Sequence, residues 1–498
     1  MPDRAGRFLI AGLWAASLFG QATAPVSIAS GRITGKDLGD ERAWLGIPYA
    51  APPVGALRWK PPQPPARWTG VRAMEEYGYS CMQPKLLTTA VLPPQSEDCL
   101  TLNVWAPRQA QKAAVMFWIH GGGFVEGSGA AAAYAGTSLE RQGVVVVTIN
   151  YRLGDFGLFA HPELSKESGK EPAANFALMD QIAALEWVHR NIAALGGDPE
   201  NVTIFGESAG GSSVNFLMAS PPARGLFRRA IAESGGGQSR ARTLADLERV
   251  GARKARQWGA ADLKVLRAMP AEDIIKNLGL LTLAEYGPVV DGKYVLEAPG
   301  QAFANGKQAP VEFLLGANSF EASLMPLFRL SADAVLSQAG ANRDKVRELY
   351  GDDPETAARE LFTDHVFLGP ARYLASQMEK VRQPAYLYFF SYVGERRRGQ
   401  APGARHGAEI PFVFDQFPAA IGLLATAEDR RMAETVSAYW VQFAKTGNPN
   451  RAGLPEWPAY TASAERLLEL GAPITVRPHF RAERLNLVDA AAGRQPAK

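Results

Sequence analysis

The chain has little cysteine, little histidine and no excess of charge. Only Cys81 and Cys99 occur among 498 residues, with six histidines. The two cysteines offer no zinc-type cluster and no histidine stands in an H-E-x-x-H pattern, so no metal is expected. Lys plus Arg number 53 against 50 Asp plus Glu, a net charge of +3. The basic residues are dispersed except at Arg396-Arg397-Arg398, a solvated loop in this reading, so nucleic acid is not an expected partner, nor is an anionic membrane. No P-loop ending and no G-x-G-x-x-G spacing is present, and no cofactor is expected. Internal repeats and low-complexity tracts are absent as well.

The longest apolar stretch near the start, Phe8 to Phe19, follows Arg4 and Arg7 and is too short to span a bilayer. It has the length of a signal-peptide core, and small residues follow it. Cleavage after Ala24 would leave Pro25 at the new terminus, so cleavage after Ala22 is expected, with Gly20 three positions before the cut. Residues 1–22 are thus read as a signal peptide, and 25–495 as a single domain without a stable membrane span. The address is secreted or periplasmic. In an oxidising compartment the two cysteines are expected to pair, closing a 19-residue loop. The chain-entropy model values such a loop at roughly 3 kcal/mol.

Hydrophobic content of 47% with 21% charged residues is ordinary for a globular chain with a sizeable core. From Gly31 to Leu102, short apolar pieces broken by Pro and Gly read as an extended, turn-rich lead-in. Val115 to Ile119 and Val144 to Ile149 are continuous apolar runs, the pattern of strands buried on both faces. Between them and the next strand, Val202 to Phe205, the stretch Asn175 to Ala194 carries a broad apolar stripe ended by Gly196-Gly197, which predicts a crossover helix. The alternation argues an α/β fold with one open, mostly parallel sheet. Residues 240–310 and 331–382 read as mainly helical insertions, with further strands at 313–316 and 386–390 and a late helix from Glu434 to Lys445.

The stretch V-T-I-F-G-E-S-A-G-G, Val202 to Gly211, organises the chemistry. Gly206 and Gly210 bracket Ser208 in a G-x-S-x-G pattern: a strand, a turn too tight for nearby Cβ atoms, and a helix that leaves the hydroxyl exposed. The pentapeptide alone has a real false-positive rate; its strand-to-helix context raises its weight. A serine hydroxyl is a weak nucleophile and needs a base, a group to orient that base, and donors for an oxyanion. Consecutive glycines in His120-Gly121-Gly122-Gly123-Phe124, after a predicted strand, free backbone N–H groups for that third task. For the base, His406 follows a predicted strand near the C-terminus, matching the order serine, acid, histidine, and is favoured over His365. For the acid, the residues leave Glu321 and Asp291 both open, although Asp291-Gly292 is more commonly a turn.

Several segments together resemble the type-B carboxylesterase and cholinesterase family of α/β hydrolases. They are Ser96 to Asn103, His120 to Phe124, Asn150 to Gly154, Asp180-Gln181, Gly196 to Pro199, Phe205 to Gly211, Pro288 to Gly292, His406 to Ile410 and Lys445 to Pro449. The resemblance implies an α/β-hydrolase fold, with a central mostly parallel sheet, helices on both faces and helical insertions. It implies a serine carboxylesterase acting on small-molecule esters through an acyl-enzyme. It settles the acid on Glu321, through a G-x-N-x-x-E pattern at Gly316, Asn318 and Glu321, and implies Gly122, Gly123 and Ala209 as oxyanion donors. Cys81 with Cys99 resembles the family's first disulfide. Glu207 and Ser234 are further near-site candidates. Thr282 and Ala284 are candidates for the acyl pocket by their distance from Pro288, and their small size predicts tolerance of bulky acyl groups.

Two departures stand out. The Cys81–Cys99 loop has no aromatic residue, so the cation-π face that selects choline is missing, and Ala322 follows the acid where the family usually has glycine. Two alternatives stay open at this stage: a thioesterase or amidase with the same triad, and a non-catalytic adhesion-type homologue.

Overall fold

The computed structural model describes residues 21–495, apart from 87–89, 238–240, 261, 277, 279–285, 338–342 and 418–421. The expected signal peptide therefore falls almost wholly outside the described residues, as do Thr282 and Ala284. The first described residues, Gln21–Ala22, form a short strand on Lys36–Asp37, so cleavage after Ala22 would remove that edge strand.

Twelve strands form one sheet among the described residues. In chain order they are β1 (Gln21–Ala22), β2 (Lys36–Asp37), β3 (Glu41–Pro48), β4 (Thr101–Pro107), β5 (Ala113–Ile119), β6 (Val145–Ile149), β7 (Gly197–Glu207), β8 (Arg229–Glu233), β9 (Glu312–Asn318), β10 (Ala385–Phe390), β11 (Arg466–Leu470) and β12 (Thr475–Pro478). The spatial order is β1-β2-β3-β4-β6-β5-β7-β8-β9-β10-β11-β12. From β6 to β11 every neighbouring pair is parallel, and the flanks are antiparallel. The expected parallel centre is therefore present. The lead-in holds more regular structure than expected: β3 is eight residues long and pairs with β4. Pro48 is the last residue of that strand, and Gly46, at φ +71°, absorbs a shift of register between Trp44 and Ile47.

Apolar residues on both faces of the central strands make two cores. Val115, Phe117 and Ile119 of β5 join one, while Met116 and Trp118 join the other, as the two-residue period of a strand requires. The first face is covered by α1 (Phe176–Asn191), which contributes Leu178, Ile182, Leu185 and Val188, and by α2 (Ala209–Ala219). The insertions carry α3 (Leu244–Gln257) and the pair α4 (Pro354–Thr363) and α5 (Gly369–Gln377). The second face is covered by α6 (Ala427–Thr446), through Val436, Tyr439, Trp440 and Phe443. This helix starts earlier than its apolar stripe indicates because Thr426 and Asp429 form a capping box, and it ends at Gly447, φ +80°.

Among the described residues no helix is long and apolar enough to cross a membrane. No cluster of three His, Cys, Asp or Glu side chains suited to a metal occurs among them. The expected disulfide joins Cys81 to Cys99.

Candidate active site

Ser208 stands between β7 and α2 with φ +57° and ψ −120°, a conformation that costs a non-glycine residue about 1–3 kcal/mol. Hydrogen bonds on both sides hold it there: its N–H donates to Glu233 O at 2.9 Å, and its carbonyl accepts from Ser212 N at 2.8 Å. The flanking glycines are required sterically. A Cβ on Gly206 would lie 2.6 Å from Ile119 O, and one on Gly210 2.0 Å from the same atom. The end of β5 thus presses on the first turn of α2.

That strand end leads into the glycine turn. Gly122, Gly123 and Phe124 have φ of +102°, +62° and +63°, and Gly122 O accepts from Val125 N and Glu126 N, both at 3.0 Å. Gly121 lies against the nucleophile: a Cβ there would be 3.1 Å from Ser208 Cβ and 2.8 Å from Glu207 O. His120 is packed inside, stacked on Tyr151 with ring centroids 4.5 Å apart. Burial lowers its pKa to about 4, so it is neutral near pH 7 and structural.

Glu321 opens a short turn, Glu321–Leu324, beyond the end of β9 and is completely buried. Its Oε2 accepts from His406 Nδ1 at 2.5 Å. Its Oε1 accepts from Ser234 Oγ at 2.6 Å and from Asn318 N at 2.8 Å. The carboxylate is fixed by three donors and in turn fixes the imidazole and its tautomer. His406 N donates to Ser323 Oγ at 3.1 Å, and the Phe367 ring centroid is 5.3 Å from the imidazole. On the other side, Glu207 Oε1 lies 3.2 Å from His406 Nε2, yet both atoms lack a hydrogen-bond partner. The approach is off the angle a hydrogen bond needs, so Glu207 acts on the ring through charge. Ala322 sits in the turn without a positive φ and its methyl is buried, so the absence of glycine there is accommodated.

Two further carboxyls, not singled out from the sequence, complete a buried acidic cluster. Glu233, the last residue of β8, accepts from Trp440 Nε1 at 2.8 Å. Glu409, three residues after His406, meets Asn318 Nδ2. Burial first, then mutual repulsion, drives these groups toward protonation: Glu409 to about 8, Glu233 well above the carboxylate range. Glu207 is raised to about 7 by burial, with the His406 charge opposing. Burial alone would lower His406, but the Glu207 and Glu321 carboxylates outweigh it and raise the imidazole above its ordinary value. The signal available for Glu233 and Glu409 was their adjacency to Ser234 and His406.

The remaining candidates lie apart from this cluster. Asp291 caps a turn, accepting from Lys293, Tyr294 and Val295 N–H groups and from Asn175 Nδ2 at 2.7 Å. His365 lies between α4 and α5 and burial lowers its pKa. Arg398 pairs with Glu428 at 2.6 Å, and Arg396 and Arg397 lie on an exposed turn.

A mostly parallel sheet with helices on both faces, and a serine on a strained strand-to-helix turn opposite a glycine loop, define an α/β hydrolase. Within that class the chain belongs to the carboxylesterase family, whose model matches residues 22–488. It is 37% identical over 466 residues to the fumonisin B1 esterase of Sphingopyxis macrogoltabida, covering 88% of this chain and 84% of that one. It is also 37% identical over 475 residues to the para-nitrobenzyl esterase of Bacillus subtilis (strain 168), covering 91% and 95%. Mouse cholinesterase is 32% identical over 510 residues, with 89% and 83% covered. A solved PNB esterase superposes with a TM-score of 0.81 at 35% identity, covering 93% of this chain and 99% of that one. The chain is a carboxylic ester hydrolase, and its family implies small-molecule ester substrates.

Proposed function

We propose that this hydrolase works through a Ser208–His406–Glu321 triad. His406 Nε2 takes the proton from Ser208 Oγ as the oxygen attacks the ester carbonyl, and Gly122, Gly123 and Ala209 N–H groups receive the oxyanion. Collapse breaks the carbonyl–alkoxy bond, the alkoxide leaves with the proton from His406, and Ser208 carries the acyl group. Water then attacks with the same base, and the carboxylic acid leaves. One observation carries the reading: the 2.5 Å bond from His406 to a fully buried Glu321 that is itself held by Ser234 and Asn318. A surface loop histidine would not be anchored in this way.

The alcohol side is proposed to take neutral rather than cationic groups, since the Cys81–Cys99 loop offers no aromatic face. Small side chains at Thr282 and Ala284 support tolerance of bulky acyl groups. A panel of p-nitrophenyl acyl esters of increasing length and branching, with p-nitrobenzyl, choline, thioester and amide substrates, tests the reading. Turnover of bulky acyl and benzyl esters is expected; activity confined to acetyl esters refutes the acyl-pocket assignment, and faster thioester or amide turnover refutes the ester preference.

Residues 1–22 are proposed as a signal peptide for export to a secreted or periplasmic location, with 25–495 as one domain. The charged start, apolar core and small residues of the leader support this, as does the disulfide. Terminal sequencing of the exported protein is expected to begin at Thr23; a Met1 terminus refutes it.

A further inference from the structure

The disulfide-closed loop is built into the underside of the glycine turn. Two residues after Cys81, the nearly buried Gln83 (2% exposed) turns both ends of its amide to one backbone residue. Nε2 donates to Gly127 O and Oε1 accepts from Gly127 N, each at 2.9 Å. Nε2 also donates to Cys81 O at 2.9 Å, which fixes the amide from the disulfide side. Gly127 is pressed against the turn it follows. A Cβ there, at φ +121°, would lie 2.2 Å from His120 Nδ1 and 2.7 Å from Gly121 O. A second tie runs beside the first: the Glu126 carboxylate, 1% exposed, accepts from Leu86 N in the same loop. Glu126 N donates to Gly122 O at 3.0 Å, and a Cβ on Gly122 would meet Glu126 O at 2.1 Å. Any movement of Glu126 or Gly127 is therefore passed directly to Gly121 and Gly122.

We propose that Gln83 and Glu126 are positioning residues that set the direction of the Gly122 and Gly123 N–H groups, so that the Cys81–Cys99 loop serves transition-state stabilisation. The proposal rests on the reading of those glycines as oxyanion donors. Oxyanion stabilisation depends on donors aimed where charge develops, which differs from the position of the ground-state carbonyl oxygen. Misaiming the donors is therefore expected to lower kcat and leave KM nearly unchanged.

The test uses the full chain with Gln83→Ala, Gln83→Glu and Glu126→Ala. Readouts are kcat and KM on p-nitrophenyl acetate, active sites counted by organophosphonate titration, and affinity for a trifluoromethyl ketone, whose adduct with the serine carries an oxyanion. Removing a whole donor costs about 10² to 10³ in kcat, so a misaimed pair is expected to cost about tenfold or more per active site. KM is expected to stay within about twofold, with ketone affinity falling by the same factor as kcat. Gln83→Glu keeps the size and one acceptor of Gln83 but replaces its N–H donors with a carboxylate oxygen that repels the Gly127 and Cys81 carbonyls, so it carries the same expectation if Gln83→Ala does not fold. A lowered melting temperature with unchanged kcat per active site and unchanged ketone affinity overturns the proposal and leaves Gln83 a structural tie. Ser208→Ala separates the two levels. If it is inactive while the Gln83 variants are unimpaired, only the positioning role fails; if it stays active, the serine mechanism itself fails.

Discussion

Gly210→Ala probes how the two halves of the proposed oxyanion site are held together. Ile119 ends β5 and leads into His120–Phe124, whereas Gly210 lies in the first turn of α2 beside Ala209. A methyl on Gly210 would sit 2.0 Å from Ile119 O and 3.0 Å from His120 O. Real Cβ contacts essentially never fall under 3.0 Å, and both clashing atoms are backbone, so strand end and helix must part by about 1 Å. That opening separates Ala209 N–H from Gly122 and Gly123 N–H. A misplacement of about 1 Å costs about 10²-fold, equivalent to about 2.7 kcal/mol in the barrier. The forced shift adds a loss of about 1–3 kcal/mol in stability. The assay is kcat on p-nitrophenyl acetate, normalised by organophosphonate titration, with a thermal melt alongside. A Gly210→Ala protein with kcat within about twofold of the parent and an unchanged melt would refute the reasoning.

Three further outcomes are expected. Glu207→Gln removes the carboxylate that most strongly raises His406; because the base must be neutral, the acid limb of kcat/KM moves to lower pH, and an unmoved limb denies Glu207 its electrostatic role. Glu140 is raised to about 8 by burial and by the facing Glu41; with its folded pKa above the ordinary value, its contribution to stability is full at acid pH and is lost as pH rises through about 8. Glu140→Gln is therefore expected to melt less steeply with pH than the parent between about pH 5 and about pH 8, and parallel profiles would contradict this. Arg152 is bonded to the buried Asp180 through Nε and Nη2, both at 2.7 Å. Arg152→Met strands that carboxylate at a cost of about 3–5 kcal/mol, and adding Asp180→Leu is expected to recover most of it in a denaturant titration.

The sequence made the centre of this molecule legible for a physical reason. Strands buried on both faces carry few polar residues, so Val115 to Ile119 and Val144 to Ile149 stand out from the chain, and the strand-to-helix setting of Ser208 raises its glycine-bracketed pattern above a chance match. The antiparallel lead-in was not legible, because Glu41 to Pro48 mixes charged and apolar residues and is broken by Gly46. The choice between Glu321 and Asp291 was not decidable from local pattern either; both follow apolar runs, and only the fold turns one toward His406 and the other into a capped turn. Glu233 and Glu409 were passed over because a carboxylate in sequence reads as solvated. Their burial comes from contacts with Trp440 and Asn318, far away along the chain. Gln83 was hidden similarly, since its partner Gly127 lies across the loop boundary.

The most direct test of the account is the reaction of Ser208 itself. A fluorophosphonate added to the parent enzyme, followed by peptide mass mapping, is expected to modify one site per chain, at Ser208, with complete loss of esterase activity, and Ser208→Ala is expected to take up no label and turn over no ester. Label on another residue, or a Ser208→Ala protein that hydrolyses p-nitrophenyl esters at the parent rate, would contradict the account.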